Sequence, residues 1–378
     1  MKKIQMVDLQ SQYQEIKSEV EDALHQILES AAFINGPAVK SFQQNLEQYL
    51  GVKHVIPCAN GTDALQVALM ALGLKPGDEV ITTTFTFIAT AEVIALLGLT
   101  PVLVDIYPDT FNMDMEAVEK AITPKTKAII PVHLFGQCAD MERLTALAEK
   151  HHLAVIEDNC QSIGADYLYK NGTKKKAGTI GLLGCTSFFP SKNLGCYGDG
   201  GAVFTNDDQL AHQLRGIVNH GMFVRYYHDL VGVNSRLDSM QAAILDIKLK
   251  RLDTYIQKRQ QAAAYYNKAF QDCKNIKTPV TAAFTNHVFH QYTLVLENVD
   301  RDKLIAYMSE KQIPVMIYYP VPLHLQKAYK DSRYKEGDFP VSEYLSENVI
   351  ALPMHTELDN EQLEYITRNL LEFIKLES

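Results

Sequence analysis

This chain of 378 residues contains no long apolar segment. Its most apolar stretch, residues 93–107, is interrupted by Gly98 and Pro101 and is too short to span a bilayer. The lysines near the amino terminus are not followed by an apolar region, so no signal peptide is predicted. These absences predict a protein that has no membrane partner.

Paired cysteines, metal-ligand spacings and an excess of basic residues are also absent. The 6 cysteines are scattered, with no CxxC pair and no spacing of histidine and cysteine that suits zinc. Neither a disulfide framework nor a metal site is predicted, and this use of cysteine favours a reducing, cytoplasmic location. A formal net charge of -9 argues against a nucleic-acid partner, because binding of a polyanion draws on Lys and Arg.

The order of apolar runs predicts an α/β protein, and the length is sufficient for two domains. After an amphipathic helix at residues 39–50, short apolar runs alternate with helical stretches. Runs that are apolar on both faces indicate a mostly parallel sheet covered by helices on both sides. Beyond residue 250 a long helix leads into a shorter α+β segment. We therefore predict a large domain at 1–250 and a smaller C-terminal domain at 251–378.

A single lysine lies between aromatic residues and glycines in the segment CTSFFPSKNLGCYGDGG, residues 185–201. Ser187 and the phenylalanines after it are typical of the end of a buried strand. The glycines remove side chains where the backbone bends or packs closely. Lys192 is therefore either a partly buried, nucleophilic amine or a solvated loop lysine, and this segment alone leaves both alternatives open.

The segment ANGTDALQ, residues 59–66, predicts a turn from a strand into a helix. Free N–H groups and the positive end of the helix dipole at Gly61, Thr62 and Asp63 would bind an anion, with the Thr62 hydroxyl as a further donor. The segment is neither a Walker loop nor a GxGxxG motif, and an ordinary helix cap is the alternative. The basic cluster at residues 170–176 is typical of the solvated tip of a hairpin rather than of a phosphate site.

Two acidic residues follow an apolar run in VIEDNCQ, residues 155–161, at the end of a strand where open α/β sheets bind ligands. A carboxylate in that position requires a partner, and the sequence offers too few further ligands for a metal. Asp158, Lys192 and the anion site at residues 61–63 together suggest pyridoxal phosphate. This cofactor requires a lysine, an acid at its ring nitrogen and a phosphate site.

The chain also resembles a known family over nearly its whole length. The segments NGTDAL, TTTFTFIATAEVI, IEDNCQSIGA, SFFPSKNLGCYGDGGAVFT and HGMFVRYYHDLVGVNSRLDSMQAAIL are similar, in this order, to the DegT-type nucleotide-sugar aminotransferases. These are fold type I pyridoxal phosphate enzymes. The resemblance implies this cofactor, a nucleotide-sugar substrate, L-glutamate as amino donor, and a homodimer with shared active sites.

The resemblance assigns roles to individual residues. Lys192 corresponds to the Schiff-base lysine, and Asp158 to the acid that faces the pyridine nitrogen. At the cofactor phosphate, Thr62 and Ser187 correspond to ligands, beside Gly61 and Asp63. Phe87 corresponds to the aromatic residue stacked on the ring, and Gln161 to the residue beside the phenolic oxygen. Asn234 corresponds to an asparagine that reaches the phosphate of the partner subunit.

Several of these positions have an ordinary structural alternative. Phe87 also fits a core position, Gln161 a helix cap and Asn234 a turn. The sequence departs from the family at Asn159 and Cys160, since DAAQ is frequent where this chain has DNCQ. This departure bears on the packing around Gln161.

The segments RYYHDLVGVNSRLD and YYPVPLHLQKAY look closest to the subgroup that acts on UDP-2-acetamido-3-keto-glucuronate in bacterial surface-polysaccharide assembly. Arg236 and His324 would then face the sugar, with Arg236 binding the uronate carboxylate. A solvated loop position is the alternative for Arg236.

Two other functions stay open at this point. One is amination of a 3-keto or 4-keto 6-deoxy sugar on dTDP or UDP, which has no carboxylate and would leave Arg236 without its partner. The other is a regulator that binds pyridoxal phosphate without turnover. No helix-turn-helix segment and no basic face accompany that second alternative.

Overall fold

The computed structural model describes residues 2–377, in which helices and strands alternate along most of the chain. In chain order the helices are α1 (Leu9–Ser30), α2 (Pro37–Leu50), α3 (Gly61–Ala71), α4 (Ala89–Leu96), α5 (Met115–Ala121), α6 (Met141–Lys150), α7 (Asp208–Ile217), α8 (Ser239–Leu249), α9 (Leu252–Phe270), α10 (Arg301–Glu310), α11 (Pro340–Asn348) and α12 (Asn360–Glu377). The strands are β1 (His54–Cys58), β2 (Glu79–Thr83), β3 (Thr100–Val104), β4 (Thr126–Ile130), β5 (Ala154–Asp158), β6 (Asp166–Leu168), β7 (Lys174–Lys176), β8 (Leu183–Ser187), β9 (Gly201–Thr205), β10 (Met222–Val224), β11 (Tyr227–His228), β12 (Ile276–Lys277), β13 (Tyr292–Leu296) and β14 (Val349–Leu352). Short 3-10 helices lie at Leu134–Gly136, Leu323–Leu325 and Lys327–Tyr329.

Many helices begin where a short polar side chain accepts a hydrogen bond from an N–H of the first turn. These capping residues are Asp8 in front of α1, Asn60 in front of α3, Asp114 in front of α5, Asp140 in front of α6, Asp207 in front of α7 and Asp300 in front of α10. Helix α2 begins at Pro37 and is followed by Gly51 in the left-handed region, φ 66°. Of the helices in residues 2–377, none has both the length and the apolar character needed to cross a bilayer.

The main sheet has seven strands in the order β1-β9-β8-β5-β4-β2-β3. All of its strands run parallel except β9, which lies antiparallel between β1 and β8. Helices α3, α4 and α7 cover one face, and α2, α5, α6 and α8 cover the other. The predicted α/β fold with a mostly parallel, helix-covered sheet is confirmed. The direction of β9 was not predicted, because hydrophobic periodicity does not report strand direction.

Strand β9 begins at the carboxyl ends of its two neighbours. Gly201 pairs with Cys58 at the end of β1 and with Ser187 at the end of β8. The turn from β1 into α3 and the loop from β8 to β9 therefore lie at the same edge of the sheet. Hairpin β6–β7 contains the basic cluster, so the prediction of a hairpin at residues 170–176 is confirmed.

The C-terminal part of the chain forms a second core around the antiparallel sheet β12-β13-β14 and the helices α10 and α12. Helix α9 joins the two cores. Leu252 and Ile256 pack in the core of the large sheet, whereas Tyr266 and Phe270, at the other end of the helix, pack in the second core. The division at residue 250 stays a prediction, and the packing changes from one core to the other inside α9.

A buried carboxylate organises the carboxyl end of β5. Glu157 is 0% exposed, and its Oε1 accepts hydrogen bonds from the N–H groups of Ile180 and Gly181, both at 2.6 Å. Its Oε2 accepts from the N–H of Gly178 and from Nε2 of His133, both at 2.8 Å. Four donors thus converge on one carboxylate and tie two loops to β5 next to Asp158, the last residue of that strand.

Replacing Glu157 with Gln should lower the free energy of unfolding by about 3–5 kcal/mol. The amide nitrogen of glutamine would face two donors, and their hydrogen bonds would be lost without a replacement. Urea denaturation of Glu157→Gln beside the wild-type protein measures this loss.

Glu119→Gln is the matched control, because Glu119 forms an exposed ion pair with Lys150 at 3.2 Å. Its expected loss is below about 1 kcal/mol. If Glu157→Gln costs no more than this control, Glu157 does not organise the end of β5 in the way described.

Candidate active site

The first turn of α3 and the end of β8 form a cradle of N–H and hydroxyl groups. A Cβ atom at Gly61 would lie 2.6 Å from Cβ of Ser187, so only glycine permits this approach. In residues 2–377 the N–H groups of Gly61 and Thr62 have no backbone acceptor, whereas the N–H of Asp63 donates to Oδ1 of Asn60 at 2.8 Å. The predicted anion site is therefore smaller than expected, because Asp63 N–H is already used. Thr62 lies in the first turn of α3 and Ser187 is the last residue of β8, so both hydroxyl side chains belong to the segments that form the cradle.

Asp158 lies at the carboxyl end of β5 and is 5% exposed. One carboxylate oxygen accepts a hydrogen bond from the hydroxyl of Thr90 at 2.8 Å, and the other accepts from the N–H of Cys160 at 3.2 Å. The carboxylate retains capacity for a cationic partner. Sequence reasoning missed Thr90, because 68 residues separate it from Asp158 and no motif links them.

Gln161 is 6% exposed, and both ends of its amide are bound. Its Oε1 accepts from the N–H of Phe135 at 2.8 Å, and its Nε2 donates to the hydroxyl oxygen of Tyr319 at 3.1 Å. The hydroxyl proton of Tyr319 is then available to another acceptor. Sequence reasoning missed Tyr319 as well, since it lies 158 residues from Gln161.

Lys192 is half-buried in the loop between β8 and β9. Its backbone N–H donates to the carbonyl oxygen of Phe189 at 2.8 Å, and its ammonium forms no ion pair within the described part of the chain. Burial lowers the pKa of Lys192, while the nearby Cys160 and Asp158 act in the opposite direction. A lowered pKa raises the fraction of neutral, nucleophilic amine at a given pH.

Phe87 lies in the loop after β2 and is 55% exposed. The centre of its ring is 6.4 Å from that of Tyr319. The core alternative for Phe87 is therefore wrong. An exposed aromatic face beside Tyr319, the partner of Gln161, can pack against a flat ligand.

Asn234 and Arg236 lie in the segment between β11 and α8. Asn234 is exposed, and Arg236 is half-buried with an Nε atom that has no hydrogen-bond partner in residues 2–377. Ser235, between them, is fully buried, and its hydroxyl accepts from the N–H of Ala59 at 3.1 Å. This bond fixes the segment next to the turn that leads into α3. The backbone of Arg236 is therefore held close to the cradle, and its Nε is an unused donor.

His324 does not have the predicted position. Its Nδ1 lies 2.9 Å from the hydroxyl of Thr84, and its Nε2 lies 2.9 Å from a carboxylate oxygen of Glu343. Its side chain is 0% exposed. The prediction that His324 faces a sugar is wrong, because both ring nitrogens are occupied and no ring atom reaches the surface. The residue instead ties its 3-10 helix to the end of β2.

The two residues that depart from the family motif, Asn159 and Cys160, differ in burial and in contacts. Asn159 is 0% exposed, and neither polar atom of its amide has a partner in residues 2–377. Cys160 is half-buried, and a Cβ atom at Gly61 would come within 3.1 Å of its Sγ. Burial raises the pKa of the Cys160 thiol well above its ordinary value, so this side chain is a neutral packing group under the cradle.

These residues fit pyridoxal phosphate. Asp158 at the end of β5, the cradle at the end of β8 and the Lys192 loop meet at one edge of the sheet, where β5 and β8 are neighbours. They provide the acid, the phosphate site and the amine that the cofactor requires. Phe87 adds an exposed aromatic face at the same edge.

Proteins of similar sequence match nearly the whole chain. The pleiotropic regulatory protein of Geobacillus stearothermophilus is 47% identical over 374 residues, which are 98% of this chain and 99% of that protein. The UDP-2-acetamido-2-deoxy-3-oxo-D-glucuronate aminotransferase of Pseudomonas aeruginosa is 46% identical over 363 residues, 96% of this chain and 98% of that protein. The dTDP-3-amino-3,4,6-trideoxy-alpha-D-glucose transaminase of Streptomyces venezuelae is 40% identical over 95% of this chain and 93% of its own.

Solved structures have the same fold. DesV of S. venezuelae superposes with a TM-score of 0.94 at 39% identity, covering 98% of each chain. NtdA of Bacillus subtilis, solved with bound cofactor PMP, has a TM-score of 0.88 at 31% identity over 98% of this chain and 83% of its own. The model of the DegT/DnrJ/EryC1/StrS aminotransferase family matches residues 14–371. The chain therefore belongs to this family of pyridoxal phosphate-dependent sugar aminotransferases.

Proposed function

We propose that this aminotransferase transfers the amino group of L-glutamate to the 3-oxo group of UDP-2-acetamido-2-deoxy-3-oxo-glucuronate, in the synthesis of a surface polysaccharide. The unpartnered guanidinium of Arg236 is the observation that carries the choice of a uronate. Similarity to the P. aeruginosa enzyme supports the same choice. The direct test is incubation with this nucleotide sugar and L-glutamate while the release of 2-oxoglutarate is followed. A cytoplasmic location stays a prediction.

When bound, pyridoxal phosphate supplies an electron sink and carries the amino group between the two substrates. Lys192 would hold the cofactor through its amine and, once displaced, move a proton at the substrate carbon that bears the amino group. Asp158 would keep the ring nitrogen protonated. At an effective dielectric near 20, a contact of this kind contributes about 4 kcal/mol. Thr62 and Ser187 would bind the phosphate together with the free N–H groups of α3.

Arg236 is suited to a carboxylate because its guanidinium has no ion-pair partner in the described residues and its Nε is buried without an acceptor. A planar guanidinium binds both oxygens of a carboxylate at once. A uronate would satisfy these donors, whereas a neutral sugar would leave them unpaired. The neutral 3-keto or 4-keto 6-deoxy sugars on dTDP or UDP are the second candidate, and similarity to the S. venezuelae transaminase favours them.

We also propose a homodimer in which Asn234 completes the site of the partner subunit. The hairpin β10–β11 and the residues after it expose a group of large apolar side chains, of which Val224 is 61%, Tyr226 76% and Val231 88% exposed. Groups of exposed apolar side chains can mark protein contacts. Asn234 follows this patch directly and is exposed itself.

Lys192→Ala should abolish the visible absorbance of lysine-bound cofactor and lower turnover by at least roughly 10²–10⁴-fold, because the positioned amine is lost. Absorption spectra of the purified proteins and the rate of 2-oxoglutarate release measure both effects. Lys170→Ala is the matched control, since Lys170 is an exposed lysine of the β6–β7 hairpin. A wild-type protein that does not bind the cofactor would rule out the assignment.

Mixing Lys192→Ala chains with Asn234→Asp chains, each inactive alone, should restore about a quarter of the sites under random pairing. Half of the dimers are then mixed, and each mixed dimer has one site with both Lys192 and Asn234 intact. The measurement is the activity after subunit exchange, with exchange verified by differently tagged chains. If exchange occurs and activity does not return, Asn234 does not act across the interface.

Arg236→Ala should lower kcat/KM for the uronate in the sugar half-reaction by a factor that corresponds to about 2–5 kcal/mol, because the carboxylate is left without its partner. The half-reaction with L-glutamate should change less. Single-turnover kinetics with each substrate separately distinguish the two effects. Equal losses in both half-reactions would indicate a shared carboxylate site. No loss in either, with full activity on a neutral keto sugar, would favour the second candidate.

A further inference from the structure

A second lysine is buried beneath the loop that contains Lys192. Lys248 lies in the last turn of α8 and is 1% exposed. Its ammonium donates to the carbonyl oxygen of Gly195 at 2.8 Å and lies 4.4 Å from the centre of the Tyr197 ring. In residues 2–377 it forms no ion pair with a carboxylate.

An unpaired ammonium is expensive to bury, and an apolar side chain would fill the same space at lower cost. The negative end of the α8 dipole and the Tyr197 ring offset part of this cost. Burial lowers the pKa of Lys248 to about 8, so the ammonium still carries its protons and donates at pH 7. The Lys248 ammonium is thus a charged donor to the carbonyl oxygen of Gly195.

The carbonyl that Lys248 holds belongs to the turn that presents Lys192. Gly195 lies three residues after Lys192 in the sequence. A Cβ atom at Gly195 would come within 2.4 Å of the carbonyl oxygen of Pro190. Since Gly195 and Pro190 are packed this closely, a shift of the Gly195 carbonyl would move the whole turn, including Lys192.

Helix α8 contacts the same loop at a second point. Gln241 lies two turns before Lys248 on the same face of α8, and its Oε1 accepts from the N–H of Tyr197 at 2.9 Å. A Cβ atom at Gly198 would come within 3.1 Å of the Gln241 amide, so this segment lies directly against the helix. Two polar side chains of one helix face therefore bind the loop that contains Lys192.

We propose that Lys248, with Gln241, is a positioning residue for Lys192: its ammonium sets the place of the reactive amine by holding the Gly195 carbonyl. This proposal rests on the proposed role of Lys192 as the cofactor-binding lysine. Lys248 touches neither cofactor nor substrate, so its effect must appear in the properties of Lys192. Loss of the contact should change the rate and the spectrum without weakening substrate binding.

The experiment compares Lys248→Met, Lys248→Arg and wild type, each loaded with pyridoxal phosphate. For Lys248→Met we expect a roughly 10–100-fold lower rate constant at saturating L-glutamate, because a small misplacement of a reacting group has an effect of this size. The glutamate concentration for half-saturation should stay within about threefold. The pH midpoint of the visible cofactor band, which reports protonation of the Lys192 nitrogen while it holds the cofactor, should shift by at least about 0.5 unit. Lys248→Arg, which can still donate to the carbonyl, should recover part of both effects.

Lys250→Met is the control, since Lys250 is an exposed lysine at the end of the same helix. A Lys248→Met protein with a lower melting temperature, but with an unchanged rate and band midpoint, would show a merely structural role and overturn the proposal. If Lys248→Met does not fold, Gln241→Leu tests the proposal instead, because it removes the other contact between α8 and the loop. It should also lower the rate at saturating L-glutamate and shift the pH midpoint of the visible band. Failure of the proposed function is distinct from these outcomes: the wild type would then show no visible band that depends on Lys192.

Discussion

The pairing of Gly201 with both Cys58 and Ser187 is the constraint on which the site depends. Strand β9 runs antiparallel between two parallel strands, so its first residue lies beside the last residues of both. A Cβ atom at Gly201 would approach the carbonyl oxygen of Asn60 to 2.3 Å, and the register therefore requires glycine. Because β1 leads into α3 and β8 leads into the lysine loop, this one register brings the anion cradle and Lys192 to the same edge.

Three cations in this part of the molecule are buried or half-buried and form no ion pair in residues 2–377. Lys192, Lys248 and Arg259 all have a pKa lowered by burial, to about 8 for Lys248 and about 10 for Arg259. Arg259 donates to the carbonyl oxygens of Phe289 and His290 rather than to a carboxylate. The formal net charge of the chain is -9. Positive charge that has no partner carboxylate in the described residues can attract an anionic ligand to this region.

The alternation of apolar runs and helices was sufficient to predict the sheet, and the glycines around Lys192 and the acid at the end of β5 identified the edge where the site lies. What the sequence did not reveal are contacts between distant segments. Thr90 and Tyr319 support Asp158 and Gln161 from other elements, and no local pattern marks them. His324 was misassigned for the same reason, since its partner Thr84 lies 240 residues away. The direction of β9 also depends on tertiary pairing alone.

Helix α9 has a mechanical consequence, because it is embedded at one end in each core. A packed interior resists sliding of its side chains, so the second core cannot swing as a rigid body without bending or withdrawing this helix. Slow opening and closing of the whole molecule is thereby disfavoured.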